Sequence, residues 1–143
     1  MPEITIQTAS RIEFVDITQQ VQRLISDSQM TDGLALVYCP HTTAALTINE
    51  NADPDVVADI QRKLAEWAPQ HDGYLHREGN SDAHIKASLL GSSQTLIVTK
   101  GRLKIGTWQG LFFCEFDGPR RRRVWVQLIP AKESAARSVN NVQ

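Results

Sequence analysis

Apolar residues recur at every second position at Ile4 and Ile6, and again through Ile12, Phe14, Val15 and Ile17, with Ala9-Ser10 between the two runs. Period two predicts two short strands folded as a β-hairpin. From Thr18 the period changes: Val21, Leu24 and Ile25 fall at i, i+3 and i+4, which predicts a helix ending before Gly33. Leu34 to Cys39 is apolar on both faces and reads as a central, doubly covered strand, and Ala44 to Ile48 continues as extended chain after Pro40. His41-Thr42-Thr43 therefore falls at a strand end or bend. Asp53-Pro54 predicts a helix start, with Asp53 as cap and Val56, Val57, Ile60 and Leu64 as the buried stripe running to about Trp67. Residues 69–80 have no period and read as a loop. Ser81 then caps a shorter helix through Leu90, stopped by Gly91. Thr95–Thr99, Leu111–Asp117 and Arg121–Ile129 read as strands, with turns at Lys100-Gly101 and Asp117-Gly118-Pro119. This order is not a repeated βαβ unit. It predicts an α+β fold, a mostly antiparallel β-sheet or sandwich with about three helices outside.

A length of 143 residues suits one domain, read as residues 1–130, followed by a poorly ordered tail over 131–143. The net charge of -1 argues against nucleic acid as a partner held by bulk charge. Its distribution is uneven: residues 1–118 carry nine bases and fifteen acids, whereas residues 119–143 carry six bases and one acid. No apolar run reaches the roughly 20 residues of a membrane span, and the start of the chain lacks a signal-peptide pattern, so no membrane partner and a cytoplasmic location are expected. Cys39 and Cys114 sit in apolar sequence and read as reduced core residues.

Polar residues able to do chemistry cluster where loops would present them. His41, His76 and His84 are candidate metal ligands or proton carriers, although their spacing matches no zinc motif. Asn49 and Glu50 follow an apolar run, so strand alternation aims them at opposite faces; Glu50 serves equally as a solvated acid near the Asp53 helix start. Residues 78–82 precede a helix whose free N–H groups could seat a phosphate, without a P-loop pattern. Alternation in the arginine run groups Arg120 and Arg122 with Val124, Val126 and Leu128. An inward guanidinium needs an anion, either Glu115 or Asp117 across the turn, or a bound phosphate or carboxylate.

Four segments, His41-Thr-Thr-Ala-Ala-Leu-Thr-Ile-Asn-Glu50, Gly79-Asn-Ser-Asp-Ala-His84, Gly106-Thr-Trp-Gln109 and Glu115-Phe-Asp-Gly-Pro-Arg120, occur here in an order and spacing that closely resembles the YjbQ-like, or secondary thiamine-phosphate synthase, family. The resemblance implies a homotrimer around packed sheets with polar pockets near subunit boundaries. It also implies a weak transferase activity that joins a pyrimidine pyrophosphate to a thiazole phosphate and releases pyrophosphate. On that resemblance His41, Glu50 and His84 are expected to be catalytic. Thr43, Asn49, Asn80, Asp82 and Arg120 are expected to hold substrate, and His41, His76 and His84 a divalent metal such as Zn, Mn or Mg. The rival expectation is a non-catalytic trimer that binds a phosphorylated metabolite or a protein partner.

Overall fold

The computed structural model describes residues 1–132, so residues 133–143 of the expected tail lie outside the described residues. Eight strands and three helices follow the order β1 (Glu3–Gln7), β2 (Glu13–Asp16), α1 (Thr18–Ser28), β3 (Gly33–Tyr38), β4 (Ala44–Glu50), α2 (Pro54–Trp67), α3 (Ser81–Leu90), β5 (Ser93–Thr99), β6 (Arg102–Lys104), β7 (Gln109–Glu115) and β8 (Arg121–Pro130). They form an α+β sandwich of two antiparallel sheets. One has the order β1-β8-β3-β5-β6, the other β2-β7-β4.

The expected hairpin does not form. β1 pairs with β8, from Glu3 opposite Trp125 to Gln7 opposite Arg121, whereas β2 pairs with β7 in the other sheet. Alternation identifies a strand but not its partner, and the connection over residues 8–12 crosses between the layers instead of folding back. Bonds from the Thr8 N–H to the Arg120 carbonyl and from the Gly118 N–H to the Arg11 carbonyl fix that crossing. Gly118 is required there, because a Cβ would lie 2.2 Å from the Ser10 carbonyl oxygen. β6, only three residues long, carried no readable period. α1 ends at Gln29, whose left-handed φ of 61° stops the helix ahead of Gly33. The residue before α3 is Asn80, not Ser81, and its side chain makes no capping bond.

Three packed layers result. The inner faces of the two sheets meet through Ile4, Val37, Val98 and Val124 on one side and Leu46, Leu111 and Phe113 on the other, and α1 closes the flank with Val21 and Ile25. On its other side the three-stranded sheet presents Phe14, Ala45, Phe112 and Cys114, covered by Val57, Ile60 and Leu64 of α2 and by Ala83 and Ala87 of α3. No described element covers the outer face of the five-stranded sheet. Register aligns Ile129, Leu34 and Ile97 across β8, β3 and β5, exposed by 45, 39 and 54%. Next along, Tyr38 stacks on Trp125 with ring centroids 5.9 Å apart. α3 is unusual in direction: it buries Asp82 and Lys86 and turns Ile85 and Leu89 outward.

Candidate functional site

Period two places Arg122 on the inner side of β8 with Val124 and Val126, and the structure buries it there. Its anion is Glu115 at the end of β7, fully buried. Arg122 Nε donates to Glu115 Oε1 at 2.9 Å and its Nη2 to Oε2, while Thr8 Oγ1 donates to Oε1 at 2.8 Å and the Asp117 N–H to Oε2 at 3.2 Å. Burial alone would raise the Glu115 pKa; the bonds from Arg122 and Thr8 outweigh it and hold the carboxyl below its usual range. Arg122 Nη2 also donates to Thr43 Oγ1 at 2.9 Å, so Thr43, read as a substrate contact, instead holds the guanidinium. Arg120, read as the anion-binding arginine, is half exposed and bonds the Asp117 carbonyl and carboxylate. It lies outside the strand, so the alternation did not apply to it.

His41 occupies the bend between β3 and β4. Its Nε2 lies 3.1 Å from the Arg123 backbone nitrogen and 3.2 Å from the Arg123 carbonyl oxygen, so it accepts from the first when unprotonated and donates to the second when protonated. Burial, and then the Arg122 charge, lowers its pKa below 6.5. His84, in the first turns of α3, lies edge-to-face on His76 with centroids 5.6 Å apart.

Three hollows share these imidazoles. The first, about 390 Å³, is lined by Glu3, Thr5, His41 and Arg121 to Arg123. The second, about 470 Å³, lies between His41 and His84 with Ser88 and Ser92 on its wall. The third, about 460 Å³ and mostly apolar, is lined by Tyr74, Leu75, His76, Ser81, His84 and Ile85. His41 borders the first two and His84 the last two, so the hollows lie in a row, a groove with a basic end and an apolar end. A larger hollow of about 540 Å³ lies against Met30, Asp32 and Leu128, but no histidine borders it.

Other expected site residues do not line these hollows. Asp82 is fully buried and accepts Arg11 Nη1 and Nη2 at 3.1 and 3.0 Å and Lys86 Nζ at 3.1 Å. Burial pushes its pKa up, and the bonds from Arg11 and Lys86 pull it further down, below the usual value. It is therefore a structural ion pair and not a substrate contact; the Asp82–Lys86 spacing of one helical turn was the available signal. Asn80 Nδ2 donates to Asp117 Oδ2 at 2.9 Å, and its buried Oδ1 has no partner among the described residues. Asn49 and Glu50 pair with Gly110 and Gln109 at the far end of β4. At about 3.3 Å per residue, that end is roughly 20 Å from Thr43. Glu50 therefore does not meet His41 and His84 within one chain.

The three expected metal ligands are likewise not brought together within one chain. Among the described residues, no three His, Cys, Asp or Glu side chains group closely enough to hold an ion. His76 and His84 meet, but His41 stands on the other side of the second hollow with Nε2 engaged by Arg123. No helix of the described chain is long and apolar enough to cross a membrane. Cys39 and Cys114 are free and buried, as their apolar context predicted.

Comparison with known proteins gives a consistent result. A family model described as "UPF0047 protein YjbQ-like" matches residues 2–131. A UPF0047 protein of Methanocaldococcus jannaschii is 54% identical, covering 89% of this chain and 92% of its own. The UPF0047 protein YugU of Bacillus subtilis is 50% identical, covering 88% and 96%. A crystal structure of an uncharacterized YjbQ/UPF0047 protein from Clostridium acetobutylicum superposes with a TM-score of 0.89 at 53% identity, covering 90% of this chain and all of that one. A YbjQ-like protein of unknown function from Sulfolobus solfataricus keeps the fold at 34% identity, with a TM-score of 0.87 and coverage of 91% and 96%.

Proposed function

The chain belongs to the YjbQ-like UPF0047 family, and on that premise we propose that it binds a phosphorylated small molecule in the groove from Arg121 and Arg123 past His41 to His84. The observation that carries this reading is the row of three neighbouring hollows, in which two imidazoles each border two of them. Guanidiniums at one end suit phosphoryl oxygens, and the Tyr74, Leu75 and Ile85 end suits the flat apolar body of an organic ligand.

The reaction proposed for this ligand is weak thiamine-phosphate synthase-like transfer. The thiazole nitrogen attacks the methylene carbon of the pyrimidine pyrophosphate; the C–N bond forms as the C–O bond breaks, and pyrophosphate leaves with the bonding pair. Charge develops on the departing oxygens, which the arginine end would stabilise. A divalent metal forms no part of this reading, because the three imidazoles do not converge. The distance of Glu50 from them favours a second reading, a binding protein without turnover. A homotrimer in the cytosol is the proposed setting: the bare sheet face supports self-association, and two free thiols suit a reducing compartment.

Incubating the purified protein with both thiamine precursors tests the reading directly. Product that is lost in His84→Ala is the expected result. Saturable binding of pyrophosphate without product leaves the binding protein, and absence of any binding to pyrophosphate or either precursor overturns both readings.

A further inference from the structure

The hollow of about 540 Å³ that no histidine borders lies where the described chain runs out at Lys132. Ser28, Met30 and Asp32 form one wall, between the end of α1 and the start of β3, and Leu128, Pro130 and Lys132 form the other. The last carbonyls of α1 give the first wall the negative end of the helix dipole. No base stands in that last turn, and Asp27 and Asp32 add charge of the same sign. Neither acid has an ion-pair partner among the described residues. Asp32 accepts only through the backbone: its Oδ1 takes the Lys100 N–H at 3.2 Å, and its carbonyl takes the Ala131 N–H at 2.9 Å. That second bond turns the chain leaving β8 onto the acidic wall.

We propose that residues 133–143 of the same chain dock in this hollow, with the Arg137 guanidinium seated against the α1 terminus and Asp32. Charge complementarity and the point of exit select this occupant. Arg137 is the one base in the segment, and it follows Lys132 by five residues, an extended reach of up to about 17 Å. Ala135, Ala136 and Val139 flank it and offer apolar surface to Met30, Leu128 and Pro130. A hollow of this size takes a few side chains, so an anchor and its neighbours fill it. The tether holds the segment at a local concentration in the millimolar range, which sustains a contact too weak for a free peptide. The family match stops at residue 131, so the segment lies beyond the shared domain. The inference goes beyond the phosphate-binding reading. That groove starts at Arg121, the other end of a 10-residue strand roughly 33 Å long.

Amide hydrogen exchange provides the test, on the full chain, on a chain ending at Lys132 and on Arg137→Glu, each verified as folded by circular dichroism. The amides of residues 29–32 are expected to exchange at least about tenfold faster in both altered chains, while those of residues 121–123 keep their rate. Equal exchange at 29–32 in the full and shortened chains overturns the docking, and equal exchange in Arg137→Glu overturns the seat of the guanidinium. Should either altered chain not fold, the full-length chain decides, carrying a nitroxide on Asn140→Cys; Cys39 and Cys114 are buried away from the label. The label is expected to broaden the amide signals of residues 29–32 and to spare those of 121–123. Absent or uniform broadening overturns the proposal. So does broadening that reaches only an isotope-labelled copy without a nitroxide, since the segment then docks on another molecule.

Discussion

Glu115 and Asp82 are both fully buried carboxylates behind the same groove, yet their surroundings differ in completeness. Glu115 receives two donors on each oxygen, from Arg122, Thr8 and the Asp117 backbone, and its arginine is buried with it. Asp82 receives three donors from two cations, one of them a partly exposed arginine and the other a buried lysine. Buried charges are tolerated only when paired and hydrogen-bonded. The closed pair under His41 is therefore expected to fail abruptly when one member is removed, whereas the shared pair under His84 has a second cation in reserve.

The largest expected effect separates the two directly. Glu115→Ala strands Arg122 in the interior and is expected to cost about 3–5 kcal/mol in urea unfolding, while the double change Glu115→Leu with Arg122→Met recovers most of it. A single-variant loss under about 1 kcal/mol would show that the pair is not closed as described. Lys86→Met should cost less, about 1–3 kcal/mol, because Arg11 keeps Asp82 paired; a cost equal to that of Glu115→Ala would erase the contrast.

Acid provides a smaller test of what the two regions share. Both carboxyls have lowered folded pKa values, so the stability they give is present above about 4.5 and is lost as pH falls through those folded values. His41 acts at milder acidity. Its folded pKa lies below 6.5, so the unfolded chain binds the proton first; stability is present above that value and is lost as pH falls through the folded one. The smallest expected effect is the loss of this shallow slope in His41→Gln, read from melting temperatures between pH 7 and 5. An unchanged slope would mean that another group titrates there.

Local physics was legible in the sequence and long-range pairing was not. Asp53 caps α2 through the Asp55 N–H as read, because a cap needs only its next few residues. The inward position of Arg122 follows from alternation alone, but the choice between Glu115 and a ligand anion required the fold. β1 and β2 were recognisable as strands, while their partners, more than a hundred residues away in sequence for β1, were not. The imidazoles met the same barrier: nothing in their spacing says that His76 and His84 touch while His41 faces them across a hollow. Asp82 was misread because an acid at a helix start suits the dipole whether or not it is buried.

The short β6 strand has one more consequence. It closes one edge of the five-stranded sheet with three residues, two of them Arg102 and Lys104, both exposed. A brief, cationic rim offers little template for another strand to add on. Strand addition at that rim is thus disfavoured, while stacking through the broad, uncovered side of the sheet stays open.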